Sequence, residues 1–126
     1  GVAAVSLVVS GIMIMVVLFI SVVERTKEIG ILRAIGAREA DIRRIFFSEG
    51  TLLGLSSGII GVMIAVVTGG FANIVLYRIT GTKLVAINLP HVILGILISV
   101  GISMMASFIP AARASSLDPV KSLRHE

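Results

Sequence analysis

The sequence predicts an all-α membrane protein: three transmembrane helices, with an amphipathic cytoplasmic helix between the first and the second. Three observations support this. Residues 1–23 carry no charge, and 50–77 and 84–112 carry none apart from His91, so each run exceeds the roughly 20 apolar residues needed to cross a bilayer. The Asp, Glu, Lys and Arg residues are confined to the gaps between these runs, as expected when each would cost about 2.5 to 3.5 kcal/mol at a helix centre. With 56% hydrophobic and 14% charged residues, the chain has too little polar surface to cover a water-facing core.

The first span covers about 1–23. The chain opens on Gly1 with the apolar run already under way, and no basic segment or small-residue cleavage site marks a signal peptide. The expectation is therefore the downstream part of a longer chain. Ser6 and Ser10 give this span a short row of small residues.

The loop 24–49 is neither a plain polar turn nor a further span. Gly36 reads as a left-handed helix stop, which predicts a short helix from the end of the first span to about Ile35. In it, Ile29, Ile31, Leu32 and Ile35 are mixed with charges of both signs, a pattern suited to docking into a groove on another protein. Glu28 and Arg33 are the candidates for polar contacts there. A second helical piece begins near Arg38, with Ile42, Ile45 and Phe46 at i, i+3 and i+4 and Glu39 four residues before Arg43 on the polar side. This amphipathic piece leads into the second span and equally suits a lipid surface.

The second span covers about 50–77 and the third about 90–110, because Pro90 suits a first helical turn and disfavours helix at Leu89. Between them, Thr80-Gly81-Thr82 marks an external turn. Small residues recur every fourth position at Gly50, Gly54 and Gly58, and again at Gly95, Ser99 and Ser103. Such rows let helix backbones approach closely, so these six positions are the expected packing face, within the chain or against a partner. The tail is 113–126.

Orientation follows from the basic residues. Arg25, Lys27, Arg33, Arg38, Arg43 and Arg44 in the first loop and Arg113, Lys121 and Arg124 in the tail stand against only Arg78 and Lys83 in the second loop. The excess places the first loop and the C-terminus in the cytoplasm. The net charge of +4 with few aromatic residues does not indicate nucleic acid, and the basic residues beside apolar spans are explained by membrane orientation.

The string from Glu24-Arg25-Thr26-Lys27-Glu28-Ile29-Gly30 through Arg33-Ala34-Ile35-Gly36-Ala37 resembles the cytoplasmic signature of the FtsX-like permeases, including the MacB-like exporter subunits and the lipoprotein-release permeases. The ending Pro110-Ala111-Ala112-Arg113-Ala114, then Leu117-Asp118-Pro119-Val120 and Leu123-Arg124, is similar to that family's C-terminal motif. The resemblance covers essentially the whole chain and implies the last three spans of a four-span subunit, without its first span and large extracytoplasmic domain. It further implies a homodimer or pseudo-dimer of permease subunits in the cell membrane, bound to two ATP-binding-cassette (ABC) ATPase subunits. The short helix bearing Glu28, Ile29, Ile31, Leu32, Arg33, Ile35 and Gly36 would then be the coupling helix against the ATPase.

No covalent chemistry is expected from the chain itself. Gly81-Thr82-Lys83 has only the end of a phosphate-loop pattern, so ATP hydrolysis is expected in a separate subunit or domain. Leu55-Ser56-Ser57-Gly58 lies within a span and reads as small-residue packing. His91 stands without a second histidine or carboxylate, and His125 lies in the tail, so no catalytic, cofactor or metal site is expected. The spans lack the midplane acids and bases that a secondary transporter or channel would require. The leading reading is the permease part of an ABC transporter of the mechanotransmission type, coupling partner ATP hydrolysis to export, extraction or motion of an external domain. The alternative is a non-transporting scaffold that regulates an external partner such as a cell-wall hydrolase.

Overall fold

The charge-free runs form helices that extend beyond them. In the computed structural model, which describes residues 1–83, 85–118 and 120, the elements are α1 (Val2–Glu24), α2 (Thr26–Ala34), α3 (Glu39–Thr80) and α4 (Leu89–Ser115). Three of them, α1, α3 and α4, are long and apolar enough to span a membrane. No strand occurs among the described residues. The chain is an all-α membrane protein with a short helix between the first and second spans.

Only Arg25 separates α1 from α2. Thr26 helps hold this junction, its hydroxyl donating to the carbonyls of Val22 and Val23 at 3.0 and 2.8 Å. Helix α2 ends in a Schellman motif: Ala37 N–H bonds to Leu32 C=O at 2.9 Å and Gly36 N–H to Arg33 C=O at 3.1 Å. Gly36 has φ +104°, a region that a side chain would strain.

The amphipathic piece after Arg38 is continuous with the second span. At 42 residues, α3 is about 63 Å long, roughly twice the hydrocarbon thickness. The Asp41 carboxylate accepts from Arg38 N–H at 3.0 Å at its start, where negative charge also suits the helix dipole. Gly81 (φ +70°) closes its far end, bonding to Tyr77 C=O at 3.0 Å.

Helix α4 begins with Pro90 in its first turn and runs five residues past Pro110, which is fully buried. The residues beyond that proline, Ala111 and Ala114, belong to the core, so packing offsets the lost backbone donor. Helix α4 is the central element, packed along α3 on one side and α1 on the other, while α1 and α3 barely meet. On α1 the close approach is made by Gly11, where an added Cβ would lie 3.1 Å from Ile102 Cγ2. Ser6 and Ser10 are exposed and return their hydroxyls to their own helix.

The accessible surface is 8950 Å², against about 6,400 Å² for a compact soluble monomer of 13.2 kDa. The excess is apolar helix face, the surface that lipid or other helices cover in a bilayer. The tail residues Lys121 and Arg124 that contributed to the orientation argument, His125, Pro119, and the Leu123-Arg124 end of the C-terminal motif lie outside the described residues.

Candidate coupling site

The site is built where the ends of all three long helices meet α2. Val22 of α1, Ile42 and Phe46 of α3, and Ala111 and Ala114 of α4 form one buried cluster, and Ile29 of α2 completes it. Ile29 is only 3% exposed, which corrects its grouping with the partner-facing residues: it anchors α2 to the bundle. Arg33 turns the same way. Its side chain is 21% exposed, its guanidinium lies 3.4 Å from Glu39 Oε1, and its Nε is buried with no hydrogen-bond partner among the described residues.

Helical geometry explains the division. At 100° per residue, Glu28, Ile31, Leu32 and Ile35 share one side of α2, while Ile29, Gly30 and Arg33 share the other. The outer side is open, with Ile31 47%, Leu32 37% and Ile35 77% exposed. Glu28 accepts from Arg25 Nε at 3.2 Å, and the same guanidinium reaches Glu49 of α3 at 3.7 Å. A nine-residue helix is thus held from within by Ile29 and at both ends by ion pairs. It presents an apolar outer face next to a capped turn at Gly36.

From this cluster the α3–α4 seam runs the length of the spans, in steps of four residues. A Cβ on Gly50 would lie 2.6 Å from Ser107 Cβ, and one on Gly54 would lie 2.6 Å from Ser103 Cβ and 2.9 Å from Val100 Cα. A Cβ on Gly58 would lie 3.1 Å from Ser99 Cβ, and Gly95 faces Val62. The two rows read from sequence are therefore the two halves of one antiparallel interface. Ser99 Oγ donates to Gly54 C=O at 2.9 Å and lies 3.2 Å from Ser57 Oγ. Ser103 Oγ is fully buried and, among the described residues, has no hydrogen-bond partner.

The α4 row extends three steps beyond the Ser103 at which sequence reasoning stopped. Ser107, Ala111 and Ser115 continue the same period of four and are all buried. Periodicity alone would have found Ser107, which lies within the expected third span, and Ala111 and Ser115 follow once the helix is carried through Pro110. Phe47 and Phe108 meet edge to face at 6.2 Å beside this lower part of the seam. At the opposite end, Asn73 clamps the incoming loop: its amide donates to Val85 C=O at 2.7 Å and accepts from Val85 N–H at 2.9 Å.

Comparison with known proteins agrees with this architecture. The model of the FtsX-like permease C-terminal family matches residues 1–119. The pyoverdine export ATP-binding/permease protein PvdT of Pseudomonas entomophila is 40% identical over 126 residues, which is 100% of this chain and 18% of that protein. The macrolide export ATP-binding/permease proteins MacB of Haemophilus ducreyi and Mannheimia succiniciproducens are 40% and 35% identical, over 100% of this chain and 18% and 19% of their own lengths. The chain thus spans about a fifth of these curated relatives. With a family model matched along nearly its whole length, this chain belongs to the FtsX-like permease C-terminal family.

Proposed function

We propose that the chain is the transmembrane permease part of an ABC transporter, and that α2 is its coupling helix, seated on an ATPase at the cytoplasmic face. The observation that carries this reading is the two-sidedness of α2. Its outer face offers Ile31, Leu32 and Ile35, while its inner Ile29 is locked into a cluster contributed by α1, α3 and α4. A displacement of α2 by a partner is passed at once to all three spans, because close-packed interiors transmit strain. The relatives' names, ATP-binding/permease proteins for export, support the same assignment.

The spans then act as levers. Their interior seam is made of Gly and Ser in close contact, which suits tight packing better than the hydrated lining that a polar solute would need and so supports a lever. ATP-driven closure of the ATPase shifts α2, and the α3–α4 pair carries that motion across the bilayer to external parts of the full-length protein. Two permease chains would work together in this reading.

The test uses Ile35→Asp and Leu32→Asp on the outer face in the full-length protein. Insertion and folding should be retained, while ATPase stimulation and export fall at least about tenfold, the effect of losing roughly 1.4 kcal/mol of contact. Unchanged activity in both variants would leave α2 as a helix lying on the lipid surface.

A further inference from the structure

The seam between α1 and α4 has features that the coupling reading does not use. Where the charge-free run of α1 ends, a cleft of about 690 Å³ opens between the α1–α2 junction and the end of α4. Its floor is Phe19, Val22 and Val23, and its walls carry Glu24 and Lys27 on one side and Arg113 on the other. Arg113 is held in place by the ring of Phe19, with its guanidinium carbon 5.3 Å from the centroid. Among the described residues, neither Lys27 nor Arg113 has a carboxylate within ion-pair distance. Asp118, also on the wall, is engaged with the N–H of Val120 at 3.0 Å.

Deeper along the same two helices lies a second groove, of about 290 Å³, that is almost entirely apolar and runs over Gly11, Met15 and Ala106. The two are continuous in register. Gly11, Met15, Phe19 and Val22 follow one another at spacings of four, four and three on one face of α1, and Ala106 and Arg113 are seven residues apart on one face of α4. One helical turn, about 6 Å, separates Met15 in the groove from Phe19 at the charged mouth. An apolar groove leading to a mouth that carries two cations, Lys27 and Arg113, beside two carboxylates, Glu24 and Asp118, at the edge of a membrane span matches an amphiphile with a zwitterionic head and a hydrocarbon chain.

We propose that the α1–α4 seam binds one bilayer phospholipid, with its headgroup phosphate between Lys27 and Arg113 and an acyl chain along Gly11, Met15 and Ala106. The free carboxylate of Glu24 beside the two cations selects a headgroup that also carries an ammonium, as phosphatidylethanolamine does. The site depends on the chain spanning a membrane but not on which face holds the ATPase, so it stands or falls separately from the coupling reading. Bound there, the lipid fills the space beside the α1–α2 junction and seats α1 against α4.

The experiment is native mass spectrometry of the full-length protein in detergent, after delipidation and titration with phosphatidylethanolamine, phosphatidylglycerol or inorganic phosphate. One phosphatidylethanolamine should be retained per chain, and retention should fall about fivefold for each cation removed in Lys27→Gln and Arg113→Gln. Ala106→Leu, which fills the chain groove and leaves the charges alone, should weaken lipid but not inorganic phosphate. The paired variant Arg78→Gln with Lys83→Gln, at the other end of the spans, should retain lipid normally. The proposal is overturned by undiminished retention in the Lys27 and Arg113 variants, or by equal loss in the Arg78 and Lys83 control. Tighter binding of phosphatidylglycerol, or displacement of the lipid by inorganic phosphate alone, would also overturn it.

Discussion

The hydroxyl of Ser99 reaches the carbonyl of Gly54 at 2.9 Å, a side chain bonding to the backbone of a neighbouring helix. That approach is possible because Gly54 has no Cβ: one placed there would sit 2.9 Å from Val100 Cα. In a bilayer, where lipid is as apolar as leucine, association of these helices rests on such close packing and on bonds of this kind.

Replacing that glycine tests the packing directly. Gly54→Ala should force α3 and α4 apart and destabilise the bundle by about 1 to 3 kcal/mol, the usual range for overpacking. Gly61→Ala on the same helix meets nothing within 4 Å and should be neutral or slightly stabilising. Thermal unfolding in detergent distinguishes the two, and equal melting temperatures would contradict the described seam.

Half-buried Ser99 and fully buried Ser103 should respond differently. Ser99→Ala removes a bond to Gly54 and a contact to Ser57, at a cost of about 0.6 kcal/mol for an interhelical bond in a membrane. Ser103→Ala removes a buried hydroxyl that has no partner, so it should be neutral or stabilising. Greater loss in Ser103→Ala than in Ser99→Ala would reverse the assignment.

The loop entering α4 is tied to α3 by the paired bonds between Asn73 and Val85. Asn73→Leu should release it, raising amide exchange at Val85 to Ile87 severalfold, an effect of about 1 kcal/mol in local opening. Asn73→Asp, which keeps the acceptor and loses the donor, should fall between. Exchange unaltered in both would show that other contacts hold the loop.

Single cysteines at Ser48 and Thr82, both exposed, test the orientation. They should react with impermeant reagents from opposite sides, Ser48→Cys from the cytoplasm and Thr82→Cys from outside, as the basic asymmetry dictates. Labelling of Thr82→Cys from the cytoplasm alone would invert the topology and remove the basis for an ATPase at α2.

The helical class, the existence of three membrane-crossing helices and the break at Gly36 were all legible in the sequence, because each rests on local chemistry. Charge cannot enter hydrocarbon without cost, and a residue with φ +104° favours glycine whatever surrounds it. The six small residues were legible too, since a period of four marks one face of a helix. What the face meets is not local. Whether Gly50, Gly54 and Gly58 packed on this chain or another, and that α4 lies between α1 and α3, was decided by long-range contacts alone. The sidedness of α2 was hidden for the same reason. Ile29 and Ile31 are chemically alike, yet one is 3% and the other 47% exposed, because burial depends on where Val22, Phe46 and Ala111 converge. How far α4 continues past Pro110 was likewise decided by the tertiary structure, which carries it to Ser115, where burial of Ala111 and Ala114 offsets one missing backbone bond.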